Sequence, residues 1–368
     1  MIDRRLFFHI NWGLLGLTLL LFGVGILNLY AASVIRLEDG FNIAPYYQRQ
    51  LIWGGGGLLV LLATLIIDYR HLQTFALPIY LGSLVLLLGV VFFGVVIMGA
   101  RRWISLGFFN LQPSEITKLA VLLMGARFLA WNGDLLGWKR LIQALCIGLL
   151  PAAMIIRQPD LGTGLTILAL IGGMILYHGL RPRVLKICLV IVPCLLPLAW
   201  FGMRDYQKLR ILTFIDPSLD PKGAGYHIIQ SQIAIGSGSV WGKGFLEGTQ
   251  HQLRFLPEKH TDFAVAVFGE EWGFIGCIVL LALFCLFMLR IIDTVRDAKD
   301  RFGSTLVAGI FFYFFWQMSV NIGMVAGLLP VVGIPLPFIS YGGSAALVNF
   351  ALVGLVLNVS MRRFLFKS

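Results

Sequence analysis

Charged residues are scarce in this chain of 368 amino acids. Asp, Glu, Lys and Arg together make up only 13% of it, while 58% is hydrophobic and the mean hydropathy is +0.86. Soluble domains carry about 25% charged residues, so a chain this apolar would not stay dispersed in water. Its apolar residues also form long uncharged runs, such as 14–27 and 51–67, which with their flanks approach the roughly 20 residues needed to cross a hydrocarbon core. The composition therefore predicts a polytopic membrane protein.

Several catalytic and binding motifs are also missing. The six histidines show neither HExxH nor the paired-ligand spacing of zinc sites, and no GxSxG nucleophile elbow occurs. The glycine-rich stretch around Lys243 is not a P-loop, because Gly244 rather than Ser or Thr follows the lysine. The five cysteines are scattered without a CxxC pair, a pattern typical of small apolar packing residues.

Hydrophobic runs and helix breakers predict one domain of about ten transmembrane helices. The first run lacks a small-residue cleavage site and further spans follow it, so we interpret it as a retained helix rather than a signal peptide. The predicted spans are approximately 11–33, 51–67, 74–98, 112–130, 141–157, 162–179, 185–203, 262–290, 303–328 and 344–361.

The predicted orientation places both termini in the cytoplasm. More than half of the 29 basic residues lie at the termini and in short loops on one side, the pattern of a cytoplasmic face. The other side holds a long loop, about residues 204–261, which we predict to be extracytoplasmic with short interfacial helices. Its many cations suit anionic lipid headgroups or a substrate that carries phosphates. Nucleic acid is not an expected partner, because the basic residues are divided between two sides of a membrane.

Polar residues at the start of the fourth span are candidates for function. Arg101 and Arg102 precede it, and their forked donors suit phosphate oxygens. Ser114 is a candidate helix cap, and Glu115 and Lys118, three residues apart, lie on one helix face. Two interpretations of this acid–lysine pair are open. The two side chains pair within the helix, or they line a functional cavity, because ionisable residues inside a membrane usually mark one.

Acidic residues mark two further junctions between loop and helix. Asp160, in a tight turn, is expected to cap the sixth span, with direct catalysis as the alternative. Asp262 lies where the long loop meets the eighth span. It is either a first-turn acid with Thr261 as the helix cap or a functional carboxylate beside a basic loop. Glu270 and Glu271 lie deeper in the same helix and need partners, which the sequence does not identify.

Five motifs together resemble the SEDS family of shape, elongation, division and sporulation proteins. They are residues 112–115 (QPSE), 158–163 (QPDLGT), 225–231 (GYHIIQS), 255–263 (FLPEKHTDF) and 339–344 (ISYGGS). The resemblance covers nearly the whole chain, with ten spans in the family's order. Within the family, the short termini and segment 331–337 are more similar to the elongation member than to the division member.

The resemblance implies a peptidoglycan glycosyltransferase that polymerises lipid II into glycan strands on the outer face of the cytoplasmic membrane. The family's essential aspartate falls on Asp262, and its acid and lysine of the fourth span fall on Glu115 and Lys118. A lipid diphosphate is already a good leaving group, so one base suffices. Asp262 would take the proton from the acceptor hydroxyl, and the transfer would invert the donor configuration. A class B penicillin-binding protein and other membrane proteins of the elongation complex are the implied partners.

The remaining expected site residues would bind substrate. Cations would stabilise the charge that develops on the diphosphate, and a divalent ion, Mg²⁺ or Mn²⁺, is an open alternative. The expected substrate-binding residues are Arg101, Arg102, Glu115, Lys118, Lys243, Lys259, His260 and Ser340. Two other functions are open: a lipid II flippase, which would use the intramembrane charges, and a scaffold, which leaves Asp262 without a reason to be acidic.

Overall fold

The computed structural model describes residues 10–38, 45–97, 100–105, 107, 110–131, 134–221, 223–252, 255 and 260–364. These residues form a nearly all-helical structure, which confirms the predicted fold class. A long helix lies at each of the ten predicted spans. In chain order these helices are α1 (Trp12–Glu38), α2 (Tyr46–Ile66), α3 (Tyr69–Phe93), α4 (Pro113–Ala130), α5 (Trp138–Arg157), α6 (Leu161–His178), α7 (Pro182–Gly202), α11 (Ala264–Asp297), α12 (Arg301–Val325) and α13 (Gly343–Met361).

Two of these helices form the centre of the bundle. Eight of the described helices, all of the ten except α4 and α7, are long and apolar enough to cross a membrane. Within their membrane-length windows, 89% of α13 and 67% of α12 is buried, against 22% of α2. Small residues allow close packing around this centre: a Cβ added to Gly57 of α2 would lie 2.3 Å from the Phe350 ring of α13.

A small antiparallel sheet follows α3 and was not predicted. Its strands are β1 (Val95–Ile97), β2 (Ala100–Ser105) and β3 (Asn110–Leu111), in the order β1-β2-β3. The predicted third span continued to residue 98, but α3 ends at Phe93 and Gly94 is already extended. The β-branched residues of β1 favour the strand. The sheet carries Arg101 and Arg102 on β2, beside the start of α4.

The long loop contains short helices, as predicted. They are α8 (Asp205–Ile215), a 3₁₀ turn (Pro217–Leu219), α9 (Ala224–Ser237) and α10 (Thr249–Gln252). Of these, α9 packs against α11. The loop is therefore folded onto the helix bundle that carries Asp262.

Candidate active site

Asp262 lies in the turn that joins the long loop to α11. The helix begins at Ala264 with Phe263 as its N-cap residue, and no side chain caps it. Asp262 is therefore outside the first turn, and the interpretation of Thr261 as the helix cap is wrong. The position of this turn is set by tertiary contacts rather than by helix capping.

A buried asparagine ties the Asp262 turn to the loop between α12 and α13. Asn321 Nδ2 donates to the carbonyl oxygens of Asp262, at 2.9 Å, and of Ile334, at 2.7 Å. The Asp262 carboxylate faces Gly333, where an added Cβ would lie 3.5 Å from Oδ2. Gly333 has a φ of +75°, which favours glycine. This backbone therefore fits closely against the carboxylate without a side chain between them.

His260 fixes the same turn from the other side. Its ring stacks on Tyr46, with centroids 3.9 Å apart, and its carbonyl accepts a hydrogen bond from the Tyr341 N–H at 2.8 Å. Ser340, the neighbour of Tyr341, accepts a hydrogen bond from the Leu336 N–H at 2.9 Å through its hydroxyl. These contacts join the segment that carries Ser340 to the turn that carries His260, and they favour a role for both residues in positioning the loops.

The predicted cap at the start of α6 is confirmed. Asp160 Oδ1 accepts a hydrogen bond from the Thr163 N–H at 3.2 Å, and Gln112 Nε2 donates to Asp160 Oδ2 at 3.3 Å. The Arg102 guanidinium donates to the carbonyl oxygens of residues 158–159. The strand that carries Arg102 is thereby fastened to the turn that carries Asp160.

This corner packs directly against the loop that faces Asp262. A Cβ added to Gly162 would lie 2.6 Å from the Val332 carbonyl oxygen and 3.0 Å from that of Gly333. Only a glycine allows so close an approach, because backbone atoms cannot move aside as a flexible side chain can. The Asp160 corner and Asp262 therefore both lie against segment 332–333.

Arg210 on α8 lies in the same charged environment. Its guanidinium is half-buried, 6.0 Å from the centroid of the Tyr206 ring. Burial lowers the pKa of Arg210, and the positive charge of Arg102 lowers it further. Tyr206 and the carboxylates of Asp262 and Asp160 oppose this shift. The structure thus brings two arginines and two aspartates within electrostatic range of one another, and Arg210 forms no ion pair with a described residue.

The fourth span begins differently from the prediction. Gln112, in an extended conformation, is the N-cap residue of α4, and Pro113 occupies the first helical position, where no backbone donor is needed. Ser114 therefore does not cap the helix, and its hydroxyl has no hydrogen-bond partner among the described residues. Glu115 lies in the first turn, as expected.

Glu115 and Lys118 form the predicted pair within α4. Lys118 Nζ lies 2.7 Å from Glu115 Oε1, and both side chains are buried. Lys118 Nζ also lies 5.2 Å from the centroid of the Tyr313 ring, and its charge interacts with that of Asp160. The second oxygen of Glu115 has no partner within the described part of the chain. Glu115 and Lys118 thus form a salt bridge with each other, and Lys118 also interacts electrostatically with the Asp160 corner.

A break in α11 lies where residues of the long loop pack against this helix. Gly273 has φ 64° and ψ −163°, which interrupts the helix. Residues 239–250, which we call the brace, satisfy the backbone groups freed there. The carbonyl oxygens of residues 239–240 accept from the N–H groups of residues 274–275, at 2.9 and 3.2 Å. The N–H groups of residues 243–244 donate to the carbonyl oxygens of residues 270–271, at 3.0 and 3.1 Å. Irregular backbone is thus tolerated because it is bonded to protein.

The brace also supplies the partners of the two buried glutamates. Glu270 Oε1 accepts hydrogen bonds from Lys243 Nζ at 2.6 Å and from the N–H groups of residues 249–250, at 2.7 and 3.0 Å. Glu271 Oε1 accepts one from the Leu246 N–H at 3.3 Å. Lys243 is therefore occupied by a buried carboxylate, which favours a structural role over substrate binding.

We expect Gly273→Ala to destabilise the protein by about 2 kcal/mol or more, because an L-residue is strained at positive φ. The new Cβ would also lie 2.2 Å from the Gly242 nitrogen. Thermal unfolding of the purified protein measures the effect. Gly172→Ala is the matched control, since nothing lies within 4 Å of a Cβ there and alanine favours a helix by about 1 kcal/mol. Equal melting temperatures for the two variants would contradict this account of the break.

The expected site residues thus divide into three groups. Arg102 and the pair Glu115–Lys118 interact with the Asp160 corner. His260 and Ser340 belong to the two segments that are bonded at the Asp262 turn, whereas Lys243 belongs to the brace. Arg101 is exposed on β2, and Lys259 lies outside the described residues. Sequence reasoning did not single out Arg210, because nothing in its local pattern separates it from the other cations of the long loop.

Comparison with known proteins identifies the family of the chain. Residues 12–364 match the family of FtsW, RodA and SpoVE, described as cell cycle proteins. The chain is 43% identical to peptidoglycan glycosyltransferase MrdB of Escherichia coli K12, over 92% of this chain and 91% of that one. It is 31% identical to peptidoglycan glycosyltransferase RodA of Treponema pallidum, over 95% and 97% of the two chains.

Solved structures show the same fold. One chain from a study of how a peptidoglycan synthase complex coordinates polymerization and crosslinking has a TM-score of 0.81 and 30% identity, covering 96% of this chain and 98% of its own. The crystal structure of the rod shape determining protein RodA of Thermus thermophilus has a TM-score of 0.70 and 28% identity, over the same shares of the two chains. The chain therefore belongs to the FtsW, RodA and SpoVE family, and it is a multi-pass membrane glycosyltransferase.

Proposed function

We propose that this chain polymerises lipid II into peptidoglycan glycan strands during cell elongation, with Asp262 as the general base. The names of the MrdB and RodA relatives support the reaction and the elongation role. The observation that carries the assignment of the base is the position of Asp262. Its carboxylate lies against Gly333 at the meeting point of the long loop, the α6 corner and the loop before α13.

The chemistry requires a single base on the acceptor side. The attacking sugar hydroxyl must lose a proton as the glycosidic bond forms, and a carboxylate within hydrogen-bond distance accepts it. The Asn321 bonds to the backbones of Asp262 and Ile334 hold this turn in place. The bond to the lipid diphosphate breaks at the same carbon, so attack from the opposite face inverts its configuration.

The donor side requires positive charge. The departing diphosphate carries its charge away from the sugar, and fixed cations stabilise it. Arg102 and Arg210 suit this role because their charges interact with each other and Arg210 also interacts with Asp262 and Asp160. Two neighbouring guanidinium groups repel each other unless an anion lies between them. Arg101, Glu115, Lys118, Lys259, His260 and Ser340 stay expected contributors to substrate binding.

The described side chains could supply only a few of the ligands that a divalent cation needs. Among the described residues no cluster of three or more Asp, Glu, His or Cys side chains could hold a metal ion. Mg²⁺ and ions like it bind through one or two carboxylates together with substrate phosphates and water. Asp262 and the Asp160 corner lie against segment 332–333, and Glu115 is paired with Lys118. Such an ion would therefore be held mainly by the diphosphate, whose charge it would neutralise.

The orientation and the partner complete the proposal. The short basic loops support cytoplasmic termini. In that orientation Asp262 and the long loop would lie on the outer, periplasmic side. The likeness to a chain of a peptidoglycan synthase complex supports a class B penicillin-binding protein as the crosslinking partner. Other membrane proteins of the elongation complex would join the pair.

The direct test is polymer formation. Purified protein, together with its partner whose transpeptidase active site is disabled, is given lipid II, and the products are separated on a gel. We expect a ladder of uncrosslinked glycan strands. No polymer under any partner or metal condition would refute the proposal.

The flippase alternative has less support from the contacts. It relied in part on Glu270 and Glu271 as charges along a transport path. Both carboxylates accept hydrogen bonds from the brace, and Glu270 pairs with Lys243. These acids therefore have structural partners and need no transported substrate to explain them.

We expect Arg210→Gln to reduce glycan polymerisation by about 10- to 100-fold, because one charged hydrogen bond to the diphosphate contributes about 1.5–3 kcal/mol. Initial polymerisation rates at several lipid II concentrations measure this reduction. Lys208→Gln, a change of equal charge on the same helix, is the control and should stay near the wild-type rate. Equal losses in the two variants would indicate a general charge effect of the loop and contradict a specific role for Arg210.

A further inference from the structure

The end of the bundle opposite Asp262 contains a charged cleft that the proposed reaction does not use. Its volume is about 530 Å³. It lies between the start of α1, the last turns of α11 and the end of α13. The lining residues are Ile10, Asn11, Trp12, Arg290, Asp293, Arg296, Asp297, Ser360 and Arg363.

The arginines of this cleft are incompletely neutralised. Arg363 pairs with Asp297. Arg290 is only loosely paired, since its Nη1 lies 3.7 Å from Asp293 Oδ2 and both side chains are about half exposed. Arg296 forms no ion pair with a described residue. The lining holds three arginines and two aspartates, so it has one positive charge in excess. The forked donors of Arg290 and Arg296 fit the phosphate oxygens of an anion.

The surroundings of the cleft are those of a membrane interface. Trp12 at the rim is 58% exposed, and exposed tryptophans are typical of the headgroup level. In the turn of α11 that precedes Arg290, Leu286 and Leu289 are 49% and 55% exposed. An occupant would therefore touch cations with one end and an exposed apolar helix face with the other.

We propose that this cleft binds the headgroup of an anionic phospholipid, with its phosphate on Arg290 and Arg296 and its acyl chains along α11. Basic pockets between membrane helices are known binding places for anionic headgroups on the cytoplasmic side, the side assigned to this end of the bundle. A soluble phosphate would use the arginines but not the leucines, so the exposed leucines beside Arg290 favour a lipid.

Native mass spectrometry of the detergent-purified protein tests the proposal, with phosphatidylglycerol and phosphatidylcholine as probes. We expect retained phosphatidylglycerol and little phosphatidylcholine. Retention should be about 10- to 30-fold weaker in the Arg290→Gln/Arg296→Gln variant, from up to about fivefold per removed charge. Lys139→Gln/Lys186→Gln is the control: it removes two exposed cations of the same predicted membrane side and should bind like the wild type.

Three results would overturn the assignment. These are equal retention of both lipids, an arginine variant that binds like the control, and displacement of phosphatidylglycerol by millimolar inorganic phosphate. The last result would indicate a soluble phosphate ligand instead of a lipid. Because the measurement involves no lipid II, it succeeds or fails independently of the polymerisation assay.

Discussion

Asp262→Asn should abolish most glycan polymerisation while leaving the protein folded. Asparagine has the size of aspartate but cannot accept a proton at neutral pH, and removal of a general base costs about 10²- to 10⁴-fold in rate. The fold should tolerate the change, because the bond from Asn321 goes to the backbone carbonyl of residue 262 and not to its side chain. Initial rates of polymer formation and the melting temperature, measured on the same preparation, check both expectations.

The matched control is Asp205→Asn, which makes the same change at an exposed acid at the start of α8. Surface substitutions usually change stability by no more than about 0.5 kcal/mol, so this variant should polymerise and melt like the wild type. Asp262→Glu tests position: it restores a carboxylate, displaced by one methylene, and a misplacement of about 1 Å costs roughly 100-fold. A folded Asp262→Asn protein with a near wild-type rate would show that Asp262 is not the base.

Glu270→Leu should cause a large loss of stability, about 3–5 kcal/mol, through collapse of the brace. Breaking a buried ion pair by removal of one partner costs about this much. The Glu270 side chain is fully buried and accepts from Lys243 Nζ and from two backbone N–H groups of residues 249–250. Leucine would leave those donors without an acceptor. A lower melting temperature of the purified protein is the measurement.

Graded variants separate the contributions to this stability. Glu270→Gln keeps an acceptor oxygen and loses only the charge, so it should melt between Glu270→Leu and the wild type. Lys243→Met should also be milder than Glu270→Leu, since the lysine side chain is 26% exposed and the backbone donors keep their carboxylate. If Glu270→Leu melted like the wild type, or no lower than Glu270→Gln, the brace would not depend on this carboxylate.

The Lys243→Met variant distinguishes a structural role of Lys243 from a role in substrate binding. As a member of the brace, Lys243 should affect melting and polymerisation in parallel when it is replaced. A Lys243→Met protein with an unchanged melting temperature and a raised KM for lipid II would instead favour the original expectation of substrate binding.

The sequence by itself determined the membrane architecture. Charge-free runs of about 20 residues leave few alternatives to membrane helices, and each of the ten predicted spans coincides with a long helix. Local chemistry also predicted the contacts that lie within one turn of chain. The Asp160 cap and the Glu115–Lys118 pair depend on spacings of three residues, which any helix brings together.

Only the tertiary structure decided which distant polar residues meet. Asp262 is tied to Asn321, 59 residues away, and Lys243 to Glu270, 27 residues away. Arg210 shares the environment of Asp262 and Asp160 from a helix outside the membrane spans. Local sequence carries no signal of such pairs, because they arise when helices pack and each buried polar group must find a partner. The same requirement explains Glu270: its buried carboxylate finds its partners in the long loop, so no substrate is needed to explain its position.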